Sequence, residues 1–190
     1  MEAVGYDLYC KLLNEAVLAL KGETEEGAEF ETTVDCDIDA YIPASYIKNE
    51  YQKLDIYKRI SGIESEEEYM DMQDELIDRF GEIPGPVENL LRVAALKALA
   101  HRAGVTDVFI NRQEVRLVMF KKAEIDVTGI PELIGKYRGD LKLRPGDAPE
   151  FLYQDQRSRN KDCMKMTEKA KELLTELCSL CERAREGAKR

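Results

Sequence analysis

The sequence predicts an α+β fold: N-terminal helices packed on a small, mostly antiparallel sheet, with a long C-terminal helix. Three observations lead there. Apolar residues recur at helical spacing through residues 45–104, the period drops to two in hairpin-like runs between residues 105 and 153, and helical spacing returns from about residue 159. Helices, then hairpins, then a helix is the order of an α+β domain rather than of alternating βαβ units. A chain of 190 residues is long enough to bury a core of this kind.

The elements follow in order. In "YDLYCKLLNEAVLALK", residues 6–21, Leu8, Leu12, Leu13, Ala16, Val17 and Leu20 fall at helical spacing. Gly22 stops that helix, and "ETEEGAE" reads as an acidic connector. In "FETTVDCDIDA" the residues Phe30, Thr32, Val34, Cys36 and Ile38 alternate with Glu31, Thr33, Asp35, Asp37 and Asp39, which predicts a half-buried strand with one acidic face. Such a face suits a sheet edge that resists pairing with other chains. Helical spacing resumes from Ser45 as a stripe of Ile47, Tyr51, Leu54, Tyr57 and Ile60 that ends near Gly62. Ser65 and Glu68 form a capping box for the next helix, whose apolar side carries Tyr69, Met72, Leu76 and Phe80. Pro86 suits the first position of a further helix that runs to Gly104, because its missing N–H costs nothing there. "VTDVFINRQEVRLVMF" predicts one hairpin, a short helix follows Pro131, and "LKLRPGDAPEFLY" predicts a second hairpin turning at Pro145, Gly146 and Asp147. The final helix carries Met166, Ala170, Leu173, Leu174, Leu177 and Leu180.

Composition narrows the function. No apolar run approaches the ~18 residues of a membrane span, and no secretory leader opens the chain, so a cytoplasmic protein is expected. Five cysteines without framework spacing fit reduced thiols. The net charge of −10 is uneven: residues 1–90 hold 7 Lys+Arg against 23 Asp+Glu, and residues 91–190 hold 21 against 15. Phosphate binding needs clustered Lys and Arg, so no direct DNA binding is expected of this chain. No phosphate-binding loop occurs, and the lone His101 has no nucleophile nearby in sequence, so no catalytic residue and no bound cofactor are expected. His101 fits a cationic role near a helix C-terminus.

Two motifs invite metal readings. Asp35, Asp37 and Asp39 match the first three ligand positions of a calcium loop, but Ala40 and Tyr46 stand where glycine and glutamate are required. Cys178 and Cys181 have the spacing of half a zinc site. Cys163 is the third thiolate for such a site, although fifteen helical residues put it roughly 22 Å from Cys178. A thiol- or zinc-dependent module using these three cysteines is the alternative reading, and incidental packing is favoured over it.

The stretch "DELIDRFGEIPGPVENLL", Asp74–Leu91, holds a charged face instead of a catalytic one. Glu75, Asp78 and Arg79 share one helix side at i, i+3 and i+4, while Leu76, Ile77 and Phe80 read as core. Together with "GYDLYCKLLNEAV" and "IPASYIKNEYQKLDIYKRIS", this stretch resembles, in the same order, the C-terminal domain of the bacterial transcription-repair coupling factor family, over about residues 4–175. The family resemblance implies a parent protein that is a DNA-translocating ATPase, using ATP and magnesium in an upstream motor. That parent removes stalled RNA polymerase at lesions and recruits UvrA for nucleotide excision repair. The resemblance also implies that this domain is an autoinhibitory partner of a UvrB-like N-terminal module. It would cover the UvrA-binding surface through Glu75, Asp78 and Arg79. On that basis residues 1–28 are expected to connect to the motor, 29–177 to form the regulatory domain, and 178–190 to continue the last helix as a tail.

Overall fold

The structure, a computed structural model, describes residues 30–155 and 162–187. The helix expected over residues 6–21 and its acidic connector lie outside the described residues. Two compact units emerge, one containing Ile38–Ala98 and the other Phe30–Asp37 together with the chain from Leu99.

The first unit is helical. Helix α1 spans Glu50–Ser61, α2 spans Glu66–Phe80, and α3 begins at Gly85 and runs across the unit boundary to Arg102. Helix α1 starts at Glu50 because the Asn49 side-chain oxygen accepts the N–H groups of Tyr51 and Gln52, at 3.0 and 3.1 Å. Ahead of it, the Tyr46 and Ile47 N–H groups both turn back to the Pro43 carbonyl, so the helical spacing expected from Ser45 begins later. At about 100° per residue, the arc of α1 that is buried centres on Ile56, Tyr57 and Ile60 and leaves Leu54 and Tyr51 outside it. Ile56, Tyr57 and Ile60 are buried, but Tyr51 is 85% exposed and Leu54 is 40% exposed, contrary to their expected core role. Ile47 is buried in the turn, outside any helix.

Helix α2 carries the expected cap with one difference. Ser65 Oγ accepts the Glu68 N–H at 3.2 Å, while Glu68 returns its carboxylate to the Glu64 N–H at 2.7 Å rather than to that of Ser65. Met72 and Leu76 are buried, and Tyr69 and Phe80 are half-buried. Ile77 is 52% exposed, which corrects its expected place in the core. At about 100° per residue, position 77 lies beyond the narrow arc that Met72 and Leu76 bury. Helix α3 opens with the Pro84 carbonyl accepting from Val87 and Glu88, so Pro86 is its second residue rather than its first.

The second unit is a five-stranded sheet: β1 (Thr33–Cys36), β2 (Val105–Ile110), β3 (Glu114–Met119), β4 (Leu141–Arg144) and β5 (Glu150–Gln154), in the order β1-β2-β3-β5-β4. Both expected hairpins form, β2–β3 and β4–β5, and β3 pairs antiparallel with β5. The acidic strand β1 is an edge, but it pairs parallel to β2, which makes the sheet mixed. The register sets Val34, Val108, Leu117 and Phe151 on one face, beside Cys36, Ile110, Val115 and Tyr153. Helix α5 (Cys163–Gly187) contacts β2 and β3 and buries Met166, Ala170, Leu173, Leu174, Leu177 and Leu180. The short α4 (Ile130–Lys136) has Pro131 in its first turn, and Lys136 pairs with Glu176 of α5. Gly104, at φ +70°, turns the chain from α3 into β2, and its carbonyl accepts the Phe120 N–H at 2.7 Å.

Candidate functional site

The charged face of α2 is built on a stiff base. Gly81, at φ +85°, ends the helix and returns its N–H to the Ile77 carbonyl at 2.9 Å. The Tyr46 hydroxyl lies 3.1 Å from the Leu76 carbonyl and 3.2 Å from the Gly81 carbonyl, so its one proton is shared between two acceptors at the helix end. The Tyr46 ring lies against Phe80, and the Arg79 guanidinium lies 5.0 Å from the centre of the Phe80 ring. Partial burial raises the Tyr46 pKa above its ordinary value, so its hydroxyl stays a proton donor.

On this base Glu75 is held by two arginines. Its Oε1 accepts from Arg79 Nη1 at 2.6 Å, within α2, and both of its oxygens accept from the fork of Arg59 on α1. This is the bidentate geometry that only a guanidinium offers a carboxylate. The Arg59 hydrogen bonds are the largest cause holding the Glu75 carboxyl down, from 4.5 to about 2. The structure therefore brings Glu75 and Arg79 together and adds Arg59. Asp78 is exposed on the same helix, one turn after Glu75 and outside that carboxylate's bonds. Ile77 and Met70, 52% exposed each, stand seven residues apart on a neighbouring strip of α2. Arg59 was invisible to sequence reasoning, because its partner lies sixteen residues away on another helix.

The cysteine motif is used differently. Cys178 Sγ donates to the Leu99 carbonyl at 3.5 Å, and Cys181 Sγ donates to the Ala103 carbonyl at 3.4 Å. Both thiols thus serve carbonyls at the end of α3, and burial pushes the Cys178 thiol up to about 11. Cys163 is elsewhere, facing Cys36. Among the described residues, no group of three or more His, Cys, Asp or Glu side chains is arranged to hold a metal ion. Asp35, Asp37 and Asp39 belong to β1 and the exposed chain after it.

His101 is anchored by Thr32, whose hydroxyl lies 3.2 Å from Nδ1 and donates to the Val105 carbonyl at 2.8 Å. With its one proton given to that carbonyl, the hydroxyl accepts at Nδ1, which makes Nδ1 the protonated nitrogen. Phe30 lies against both His101 and Phe120, at 4.6 Å between ring centres. His101 is thus exposed at the end of α3 and held there by the Thr32 hydroxyl and the Phe30 ring.

A helical unit and a mixed five-stranded sheet with one long helix define an α+β module, and α2 of the helical unit carries a charged face. Comparison with known proteins gives it a family. A family model described as the TRCF domain matches residues 36–130, half of the chain. The transcription-repair-coupling factor of Bacillus subtilis is 40% identical over 129 residues, covering 68% of this chain and 11% of the relative. That of Staphylococcus epidermidis is 38% identical over 130 residues, with the same coverage. A solved structure described as the C-terminal domain of transcription-repair coupling factor superposes with a TM-score of 0.59 at 27% identity, covering 80% of this chain and 96% of that one. The chain belongs to the TRCF family and corresponds to the C-terminal domain of a transcription-repair coupling factor. The match covers 11% of the length of these curated relatives. No helix among the described residues is long and apolar enough to cross a membrane.

Proposed function

We propose that this domain is an autoinhibitory latch of its parent coupling factor. It docks on a UvrB-like N-terminal module and masks the surface that binds UvrA, through Glu75, Asp78 and Arg79. Residues 29–177 form the body of the regulatory domain in this reading, residues 1–28 connect it to an ATP- and magnesium-dependent DNA-translocating motor that acts on stalled RNA polymerase, and the tail, 178–190, begins as the last part of α5, where Leu180 and Cys181 are buried. The observation that carries the reading is the Arg59–Glu75–Arg79 bridge. It fixes two guanidinium groups on the surface of α1 and α2 next to the exposed Asp78, so little side-chain freedom remains to be lost on docking. The exposed Ile77 adds an apolar contact beside these charges.

The energetics suit a latch. A tether supplies an effective concentration of about 1 mM, so an intrinsic Kd of about 10 μM keeps roughly 99% of molecules closed. The bias is then about 2.7 kcal/mol, and losing one or two charged contacts of ~1–2 kcal/mol each opens much of the population. The test uses the full-length parent protein carrying Asp78→Ala with Arg79→Ala. Both side chains are exposed, and the Arg59–Glu75 bridge is left in place. UvrA affinity should rise by roughly twentyfold or more with an unchanged melting curve. A variant that melts like wild type and binds UvrA no better refutes the assignment. Leu76→Ala, by contrast, empties a fully buried site, costs ~2–5 kcal/mol and reports unfolding rather than release.

A further inference from the structure

Cys36, at the end of edge strand β1, and Cys163, the first residue of α5, stand with their Sγ atoms 3.9 Å apart. Their separation in sequence is 127 residues, so only the fold brings them together. Cys36 is half-buried and Cys163 is buried. Neither serves a helix-end carbonyl in the way Cys178 and Cys181 do. We infer that Cys36 and Cys163 form a reversible disulfide, made by exchange with a small-molecule disulfide, that ties strand β1 to the first turn of α5. The inference does not rest on the docking reading.

The geometry orders the chemistry. An incoming disulfide reaches the half-buried Cys36 first. The Cys36 thiolate attacks one sulfur of that reagent and expels the other as a thiolate, leaving a mixed disulfide on Cys36. Cys163, already in contact, loses its proton and attacks Cys36 Sγ, which releases the second small thiolate. The two protein sulfurs give up two electrons, the reagent leaves as two thiols, and the protons of the two cysteines end on those thiols. Closing the sulfurs from 3.9 Å to a bond of about 2.05 Å brings them together by about 2 Å. Burial pushes the Cys36 thiol up to about 12, and Asp35 adds to the rise. Burial also raises the Cys163 thiol, with Asp37 and Asp162 opposing its thiolate. Exchange is therefore slow at neutral pH and faster in mild alkali. A disulfide closing so long a loop stabilises the folded chain by restricting the unfolded one.

The test treats the whole chain, folded, with oxidised glutathione at mildly alkaline pH and maps its peptides without reduction. The expected result is a Cys36–Cys163 cross-link that dithiothreitol reverses, with the oxidised protein melting several degrees higher. Cys163→Ser should stop at a glutathione adduct on Cys36, and Cys36→Ser should give neither adduct nor cross-link at this pair. The inference is overturned if wild-type protein keeps an unresolved adduct on Cys36. It is equally overturned if the only cross-link joins Cys178 to Cys181, or if Cys36 and Cys163 stay reduced after prolonged exposure.

Discussion

Removing the Glu75 carboxylate charge by Glu75→Gln should lower stability by about 1 kcal/mol at neutral pH. The side chains of Arg59, Glu75 and Arg79 are 42%, 26% and 37% exposed, so this is a partly screened surface network. Taken at face value, a carboxyl held down from 4.5 to about 2 corresponds to roughly 3 kcal/mol. Solvent screening and the cost of ordering long side chains reduce that to about 1 kcal/mol, the upper end for exposed pairs. In a chain of this length the loss is read as a fall of about 2–4 °C in Tm. The sign of its pH dependence is fixed. The folded-state value is depressed, so the stabilisation is complete above the unfolded carboxylate value of ~4.3 and is lost as pH falls towards 2. The gap between wild type and Glu75→Gln should stay constant from pH 7 to about 5 and then close. A double-mutant cycle with Arg59→Gln, by thermal melting at low and high salt, should give a coupling of ~0.5–1 kcal/mol that salt weakens. A coupling indistinguishable from zero, or a gap that widens as pH falls, would refute the bridge as drawn.

Gly104→Ala should destabilise by ~1–3 kcal/mol, because φ is +70° and the new Cβ would lie 2.9 Å from the Ala123 Cβ. Unchanged denaturant unfolding would contradict that strain. Cys178→Ser with Cys181→Ser should cost no more than about 2 kcal/mol, since a hydroxyl can still donate to the Leu99 and Ala103 carbonyls. Loss of folding, or of a stoichiometric metal found in the wild type by elemental analysis, would show that these thiols do more than end α3.

Much of the fold was legible in local chemistry. Ser65 announced the start of α2, the change of period at Val105 announced a sheet, and Pro145-Gly146-Asp147 announced the turn between β4 and β5. Each of these depends on residues a few positions apart, where capping, turn geometry and side-chain alternation act. The errors also have local causes. Asn49 starts α1 at Glu50, which leaves Ile47 outside the helix, and the buried arc through Ile56, Tyr57 and Ile60 turns Tyr51 and Leu54 towards solvent. Ile77 looked like core because it is apolar, yet the buried arc of α2 is narrow and the helix rotates it into solvent.

The face of α2 was half legible. Spacing alone puts Glu75 beside Arg79, because i,i+4 neighbours meet on any helix. That Arg59 completes the bridge depends on how α1 lies against α2, which periodicity does not encode. The same division holds elsewhere in the chain. The alternation in "FETTVDCDIDA" determined that Thr32, Val34 and Cys36 share one side of a strand; the tertiary structure decided that this strand runs parallel to β2 and that Cys36 meets Cys163. Period, caps and turns report each segment's own geometry, whereas pairing direction and contacts between distant side chains are set by which buried faces meet when the segments close on a common core.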